Sequence, residues 1–197
     1  MLFRSVGDVT GKGVPAALFM ALSKALTKSV LLRDGLDLGA AVTRLNDEIA
    51  RDNSEDMFVT MIFGLLDTST GALALCNAGH ENPWLVRADG SVTHLSPDGG
   101  PPLSVVSGFP FVVDMVQLSV GDAMVFVSDG ITEAQNQTHD FFGTERLASA
   151  LSRVTASAAI AATGNALLND VRIFEDGAEA TDDLTVLAFR YTGVAAI

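Results

Sequence analysis

The apolar residues of this chain change their period along its length, and the order of those changes constrains the fold more than any other feature. After Gly11-Lys12-Gly13, an apolar-rich segment from Val14 to about Arg33 reads as a helix, with Pro15 in its first turn, where a missing N–H costs nothing. Leu38, Val42, Leu45 and Ile49 then recur at four, three and four residues, one stripe of a second helix from about Leu38 to Arg51. At Phe58 the signature switches. Phe58 to Leu66 is rich in branched and aromatic residues and reads as a buried strand, Asp67 to Gly71 is turn chemistry, and Ala72 to Asn77 returns as a second strand. Trp84 to Arg87 and Val92 to Leu95 form a hairpin around Asp89-Gly90. Ser96 to Pro110 carries four of the six prolines and reads as a loop, followed by strands at Phe111 to Leu118 and Ala123 to Val127. Helices are expected from about Gly143 to Arg153 and about Ala156 to Val171, then an acidic loop, Glu175 to Asp183, and a last strand, Leu184 to Tyr191. Two helices, a run of mostly antiparallel strands, two helices and one strand predict an α+β fold with helices packed on sheet faces. At 197 residues, with no internal repeat or linker, the chain reads as a single domain over residues 1–197.

Charge narrows the partners. Twelve Lys and Arg stand against 24 Asp and Glu, a formal charge of -12, which argues against nucleic acid or an anionic membrane surface and suits a protein that gathers cations or meets a basic partner. The 48% hydrophobic and 18% charged content excludes wholesale disorder. One cysteine, Cys76, permits no internal disulfide and no thiolate cage for zinc, and fits a reducing, cytoplasmic setting. No stretch reaches the roughly 18 apolar residues that a membrane helix needs, and Met1 to Ser5 is too short for a signal peptide. Val6 to Val9 already reads as the end of a strand, so the chain is expected to begin inside a domain.

Three acidic positions share one context. Asp8 ends the first strand, Asp129 ends another in Val125-Phe126-Val127-Ser128-Asp129-Gly130, and Asp182 and Asp183 precede the last. A carboxylate at the edge of an apolar strand is next to the core yet open to water; several together repel unless cations neutralise them. Oxygen donors without Cys or a His pair select Mg²⁺ or Mn²⁺, and two such ions can bind a phosphate and activate the attacking water. The plain alternative for any one of them is a turn. Gly7, Gly11 and Gly13 let the backbone around Asp8 approach an ion or phosphate closely. A P-loop does not fit: the Gly7 to Gly11 interval is one residue short, and Gly13 stands where the hydroxyl residue belongs. Gly11-x-Gly13-x-x-Ala16 is a loose dinucleotide fingerprint, with no regular βαβ alternation after it.

Gly7-Asp8-Val9-Thr10-Gly11-Lys12-Gly13-Val14-Pro15-Ala16-Ala17-Leu18-Phe19-Met20 resembles the signature of the bacterial SpoIIE-like branch of the metal-dependent, type 2C (PPM) serine/threonine protein phosphatases. Matching blocks follow in order: Asn77-Ala78-Gly79-His80, Gly99-Gly100-Pro101-Pro102-Leu103, Ser128-Asp129-Gly130-Ile131-Thr132-Glu133-Ala134 and Asp182-Asp183-Leu184-Thr185-Val186. The resemblance implies an α-β-β-α sandwich, four layers in which two antiparallel sheets lie between helices. It implies hydrolysis of phosphoserine or phosphothreonine on a signalling protein, in this branch a phosphorylated STAS-domain anti-sigma-factor antagonist. By matching positions, Asp8 would bridge two Mn²⁺ or Mg²⁺ ions, the Val9 carbonyl would support one, and Asp129 and Asp182 would complete the catalytic site. Asp182 is preferred to Asp183 because the first acidic residue of that block is the family's metal position. The family also has a preceding strand with a Gly-Gly-Asp motif; only Met1 to Ser5 stands in its place. The resemblance therefore implies a catalytic domain lacking its first strand, an upstream sensor domain in the full-length protein, and, as the alternative to an enzyme, an impaired pseudophosphatase or regulatory binding module.

Other residues carry a bland and a sharp reading. His80 is a loop-forming residue or a proton-transfer aid. Lys12 is a solvated lysine or a phosphate contact. Trp84 and Pro101-Pro102 pack and stiffen, or border a substrate groove. Cys76, in an apolar strand, reads as a buried small side chain.

Overall fold

The elements of the computed structural model run β1 (Leu2–Val9), α1 (Val14–Asp34), α2 (Leu38–Ala50), β2 (Val59–Leu66), β3 (Ala72–Ala78), β4 (Trp84–Val86), β5 (Val92–His94), β6 (Asp114–Gln117), β7 (Ala123–Val127), α3 (Asp129–Thr132), α4 (Gly143–Ser152), α5 (Ile160–Glu175) and β8 (Val186–Arg190). The structure describes residues 1–34, 37–51, 53, 57–154, 159–180 and 182–193. Its strands form two four-stranded sheets, in the orders β1-β2-β3-β6 and β5-β4-β7-β8. With helices packed on each, this is the expected α+β class of two antiparallel sheets flanked by helices. The chain divides into two compact units, residues Met1–Asp67, Ala72–His80 and Pro97–Val116 in the first and Thr68–Gly71, Glu81–Ser96 and Gln117–Ile197 in the second.

In the first unit, β2 lies between β1 and β3 and is buried at nearly every position, which is why its sequence is a continuous apolar run rather than an alternation. Phe19 and Val30 of α1 and Leu38, Val42, Leu45 and Ile49 of α2 close over Val59 and Phe63. The buried face of α1 also carries Ser23 and Thr27, whose hydroxyls donate to the carbonyls of Phe19 and Ser23, both at 2.8 Å, and so need no partner from the core. Val14, Leu18 and Leu22 stay exposed. The stretch Val14–Leu31 averages a mean hydropathy of 1.3 and is, by length and composition, long and apolar enough to cross a membrane. The expectation that no segment reaches this length rested on uninterrupted runs; Lys24 and Lys28 break the run without lowering the average enough.

β6 begins at Asp114, not at Phe111 as the sequence suggests. Phe111 is taken by α2 instead: its N–H donates to Thr43 Oγ1 at 3.1 Å and its ring joins the core. The same helix pins the preceding loop. Buried Asn46 donates to the Val106 carbonyl (2.8 Å) and accepts the Ser104 N–H (2.9 Å), while Asp47 accepts the Gly108 N–H (2.7 Å).

In the second unit, β7 is buried along its whole length between β4 and β8. Trp84, Val125, Val127, Ile131, Phe142, Leu147, Leu151, Leu167 and Val171 form the core under α4 and α5. α5 starts at Ile160 and runs past Val171 to Glu175; the expected start, Ala156, lies outside the described residues. Phe174 extends the helix because its ring packs edge-on against Phe142 (centroids 5.5 Å), and Asp176 ends it by taking φ 47°. The acidic loop thus begins one residue later than expected. Buried Asp122 knits the loops of this unit, accepting from Arg87 at 2.8 Å, the Ala88 N–H at 2.9 Å and the Ser119 N–H at 2.8 Å.

Candidate functional site

Asp8 sits at the end of β1, opposite Thr60 of β2 in the antiparallel register. A side chain at Gly7 would place its Cβ 2.8 Å from the Thr60 carbonyl oxygen and 2.8 Å from Met61 Cγ, so only glycine lets the strand lie this close. The Asp8 carboxylate is half-buried, and its Oδ1 accepts the Val9 N–H at 2.9 Å. Beyond it, Gly11 and Gly13 take φ values of 85° and 87°, reversing the chain into α1. Lys12, between them, is exposed.

Asp129 opens the short helix α3 directly after buried β7, and its Oδ1 accepts the Gly130 N–H at 2.9 Å. Asp182 repeats the arrangement, accepting the Asp183 N–H at 2.8 Å. A carboxylate oxygen of Asp129 and one of Asp182 lie within 4.8 Å of each other. The local cause is a clamp at Ser128. Its hydroxyl donates to the Asp183 carbonyl (3.1 Å) and accepts the Thr185 N–H (3.0 Å), while its own N–H donates to the Thr185 carbonyl (3.1 Å). Gly130 completes the approach, since a Cβ there would stand 2.4 Å from the Asp183 carbonyl oxygen. The carboxylate brought to Asp129 is that of Asp182, in line with the motif, while the Asp183 main chain serves the clamp.

Asp8 belongs to the first unit, and Asp129 and Asp182 to the second. All three carboxylates nevertheless share one device, an oxygen tied to the following N–H. Such oxygen-only donors fit Mg²⁺ or Mn²⁺, and the close Asp129–Asp182 pair carries repulsion that a divalent ion would relieve.

Two further acidic residues escape a reading of the motifs. Burial raises the pKa of half-buried Glu81, and the charge of Asp129 adds to the rise, with Glu133 adding a little and His94 opposing. Glu81 follows the Asn-Ala-Gly-His block and Glu133 lies inside the Ser128–Ala134 block, so position in the motifs was the available signal. Their coupling shows a negative field around Asp129.

His80 is buried and shapes its loop: its N–H donates to Asn77 Oδ1 and its carbonyl accepts from Asn77 Nδ2, both at 2.9 Å. Pro102 packs on the same turn, where a Cβ at Gly79 would meet its ring at 2.7 Å. Trp84 is buried and stacks on His94 with ring centroids 4.1 Å apart, a packing role. Burial, with a smaller contribution from Asp114, pushes the Cys76 thiol from 9.0 up to about 12.

The family model described as "Stage II sporulation protein E (SpoIIE)" matches residues 2–192. The chain is 30% identical over 168 residues to Protein IcfG of Synechocystis sp., an alignment covering 72% of this chain and 26% of that protein. It is 26% identical over 133 residues to the phosphoserine phosphatase RsbU of Bacillus subtilis, covering 68% of this chain and 39% of that protein. It thus spans well under half the length of either relative. Among solved structures, the SiaA-PP2C domain of Pseudomonas aeruginosa superimposes with a TM-score of 0.81 at 22% identity, over 96% of this chain and 78% of that one, and so has the same fold. With nearly every residue inside the family model, the chain belongs to the SpoIIE family.

Proposed function

We propose that this chain is a single catalytic domain, a metal-dependent protein serine/threonine phosphatase that removes phosphate from phosphoserine or phosphothreonine of a cytoplasmic signalling protein. Asp8, Asp129 and Asp182 would together hold two Mn²⁺ or Mg²⁺ ions, with the Val9 carbonyl as a further oxygen donor. The observation that carries the reading is the Ser128 clamp, which spends three hydrogen bonds on holding Asp182 against Asp129 despite their like charge. Structure of that kind is at its most favourable with a cation present. When bound, the ions would supply positive charge to the phosphate oxygens and acidify a water for in-line attack. The chain's own part is to fix the carboxylates: each aspartate keeps one oxygen on a backbone N–H, which limits its rotation and aims the other. A phosphocysteine route has no support, since the Cys76 thiol is buried and pushed up to about 12 and is protonated at neutral pH.

The substrate is proposed as a phosphorylated STAS-domain anti-sigma-factor antagonist, with a sensor domain upstream in the full-length protein. The SpoIIE family match and the RsbU relative support this partner class. The test is turnover of p-nitrophenyl phosphate and of a phosphoserine-bearing STAS domain with added Mn²⁺. Activity should vanish with EDTA, return with Mn²⁺, and fall by roughly a hundredfold or more in Asp129→Asn and Asp182→Asn, because the ions that activate the water are lost. No metal-stimulated turnover by the wild-type chain would overturn the enzyme reading in favour of a binding module.

A further inference from the structure

The peptide group between Asp8 and Val9 is held at both ends. Its N–H, on Val9, donates to Asp8 Oδ1 at 2.9 Å, and its carbonyl, on Asp8, accepts the Thr60 hydroxyl at 3.3 Å. Thr60 Oγ1 in turn lies 3.0 Å from Nδ1 of buried His80. A hydroxyl has one proton to give. If that proton goes to the Asp8 carbonyl, His80 must carry hydrogen on Nδ1 and donate it to Thr60. The result is a directed relay, His80 Nδ1–H to Thr60 Oγ1–H to the Asp8 carbonyl. His80 is itself fixed by its reciprocal bonds with Asn77, so the relay starts from a rigid loop.

We infer that Thr60 and His80 are positioning residues for the Asp8 carboxylate, an inference that rests on the proposed phosphatase site. Tilting the Asp8–Val9 peptide plane would swing the Val9 N–H away from Asp8 Oδ1 and loosen that hold on the carboxylate. The relay stops that tilt through the carbonyl end of the same plane. The β1–β2 ladder pairs Asp8 with Thr60 and holds the same backbone, and the relay adds a side-chain restraint at that carbonyl. Neither residue touches substrate or ion in this scheme; both act through Asp8.

The test uses Thr60→Val, which keeps the side-chain shape and removes the hydroxyl, and Thr60→Ser, which restores it. His80→Leu breaks the other end, and His80→Asn presents an amide N–H near the Nδ1 position. Mn²⁺ affinity is read by electron paramagnetic resonance of the free ion, apart from any turnover, and the Mn²⁺ concentration for half-maximal p-nitrophenyl phosphate hydrolysis is read separately from kcat. Thr60→Val and His80→Leu should each weaken Mn²⁺ binding about tenfold or more, the usual cost of losing a group that orients a metal ligand. Thr60→Ser and His80→Asn should stay within about threefold of wild type, and the double variant Thr60→Val/His80→Leu should be no worse than the poorer single one, since both cut the same relay. Mn²⁺ affinity unchanged in Thr60→Val, equal losses in Thr60→Val and Thr60→Ser, or additive losses in the double variant would each overturn the inference. A wild-type chain that binds Mn²⁺ without turnover would sink the phosphatase reading alone, because the resonance measurement still decides the role of Thr60 and His80.

Discussion

At the scale of single residues, two glycines decide how closely carboxylate-bearing backbone can approach its neighbour. A Cβ at Gly130 would stand 2.4 Å from the Asp183 carbonyl, and one at Gly7 would stand 2.8 Å from the Thr60 carbonyl. Both obstacles are backbone atoms, which cannot swing aside as a flexible side chain would. Gly130→Ala should therefore cost about 1–3 kcal/mol of stability, the usual penalty of overpacking, and should push Asp182 away from Asp129. The expected result is a lower melting temperature without metal and a Mn²⁺ requirement raised more than tenfold; an alanine variant with wild-type Mn²⁺ binding would show that the clamp does not set the spacing of the pair. The aspartates themselves were legible from the sequence, because each ends or precedes an apolar strand inside a motif block. Glu81 was not. Its raised pKa depends on burial and on Asp129, which is 48 positions further along the chain, and no local pattern encodes that encounter.

At the scale of elements, side chains that bridge loops matter as much as the strands they join. Asp122 is buried and answers Arg87, Ala88 and Ser119 together, tying the β4–β5 hairpin to the β6–β7 connection. Asp122→Ala would strand the Ala88 and Ser119 N–H groups, so a loss of about 2 kcal/mol or more is expected. Urea unfolding followed by far-ultraviolet circular dichroism would measure it, and a loss below about 1 kcal/mol would contradict the bridging role. Element types were readable where periodicity was strong, as in α2 with its apolar stripe and β2 with its unbroken apolar run. Boundaries failed where a tertiary partner took over a residue. Phe111 has strand-like chemistry, but Thr43 and the core under α2 claim it, and Phe174 prolongs α5 because Phe142 waits for its ring.

At the scale of the molecule, the core of the first unit can be watched through its one thiol. Cys76 is buried in β3 beside Phe63 in register, and its pKa is pushed up to about 12 by burial. The fold favours the protonated thiol, so this stabilisation is complete below the ordinary value of 9.0 and is lost as pH climbs from there towards about 12. At pH 8 the native protein should react with a disulfide reagent only as fast as this part of the fold opens, and addition of urea should accelerate labelling in step with unfolding. Immediate labelling of the folded chain would mean that β3 is not the closed core strand described.

From the sequence alone came the α+β class, most of the order of elements and the five motif blocks, all because period, turn chemistry and short motifs are written in neighbouring residues. Only the tertiary structure decided that Thr60 reaches the Asp8 carbonyl with His80 behind it, and that Glu81 is held near neighbours of its own sign. Those are relations between positions far apart in the chain. They come into being when burial of apolar surface brings strands together, and hydrogen bonds then select which polar groups meet.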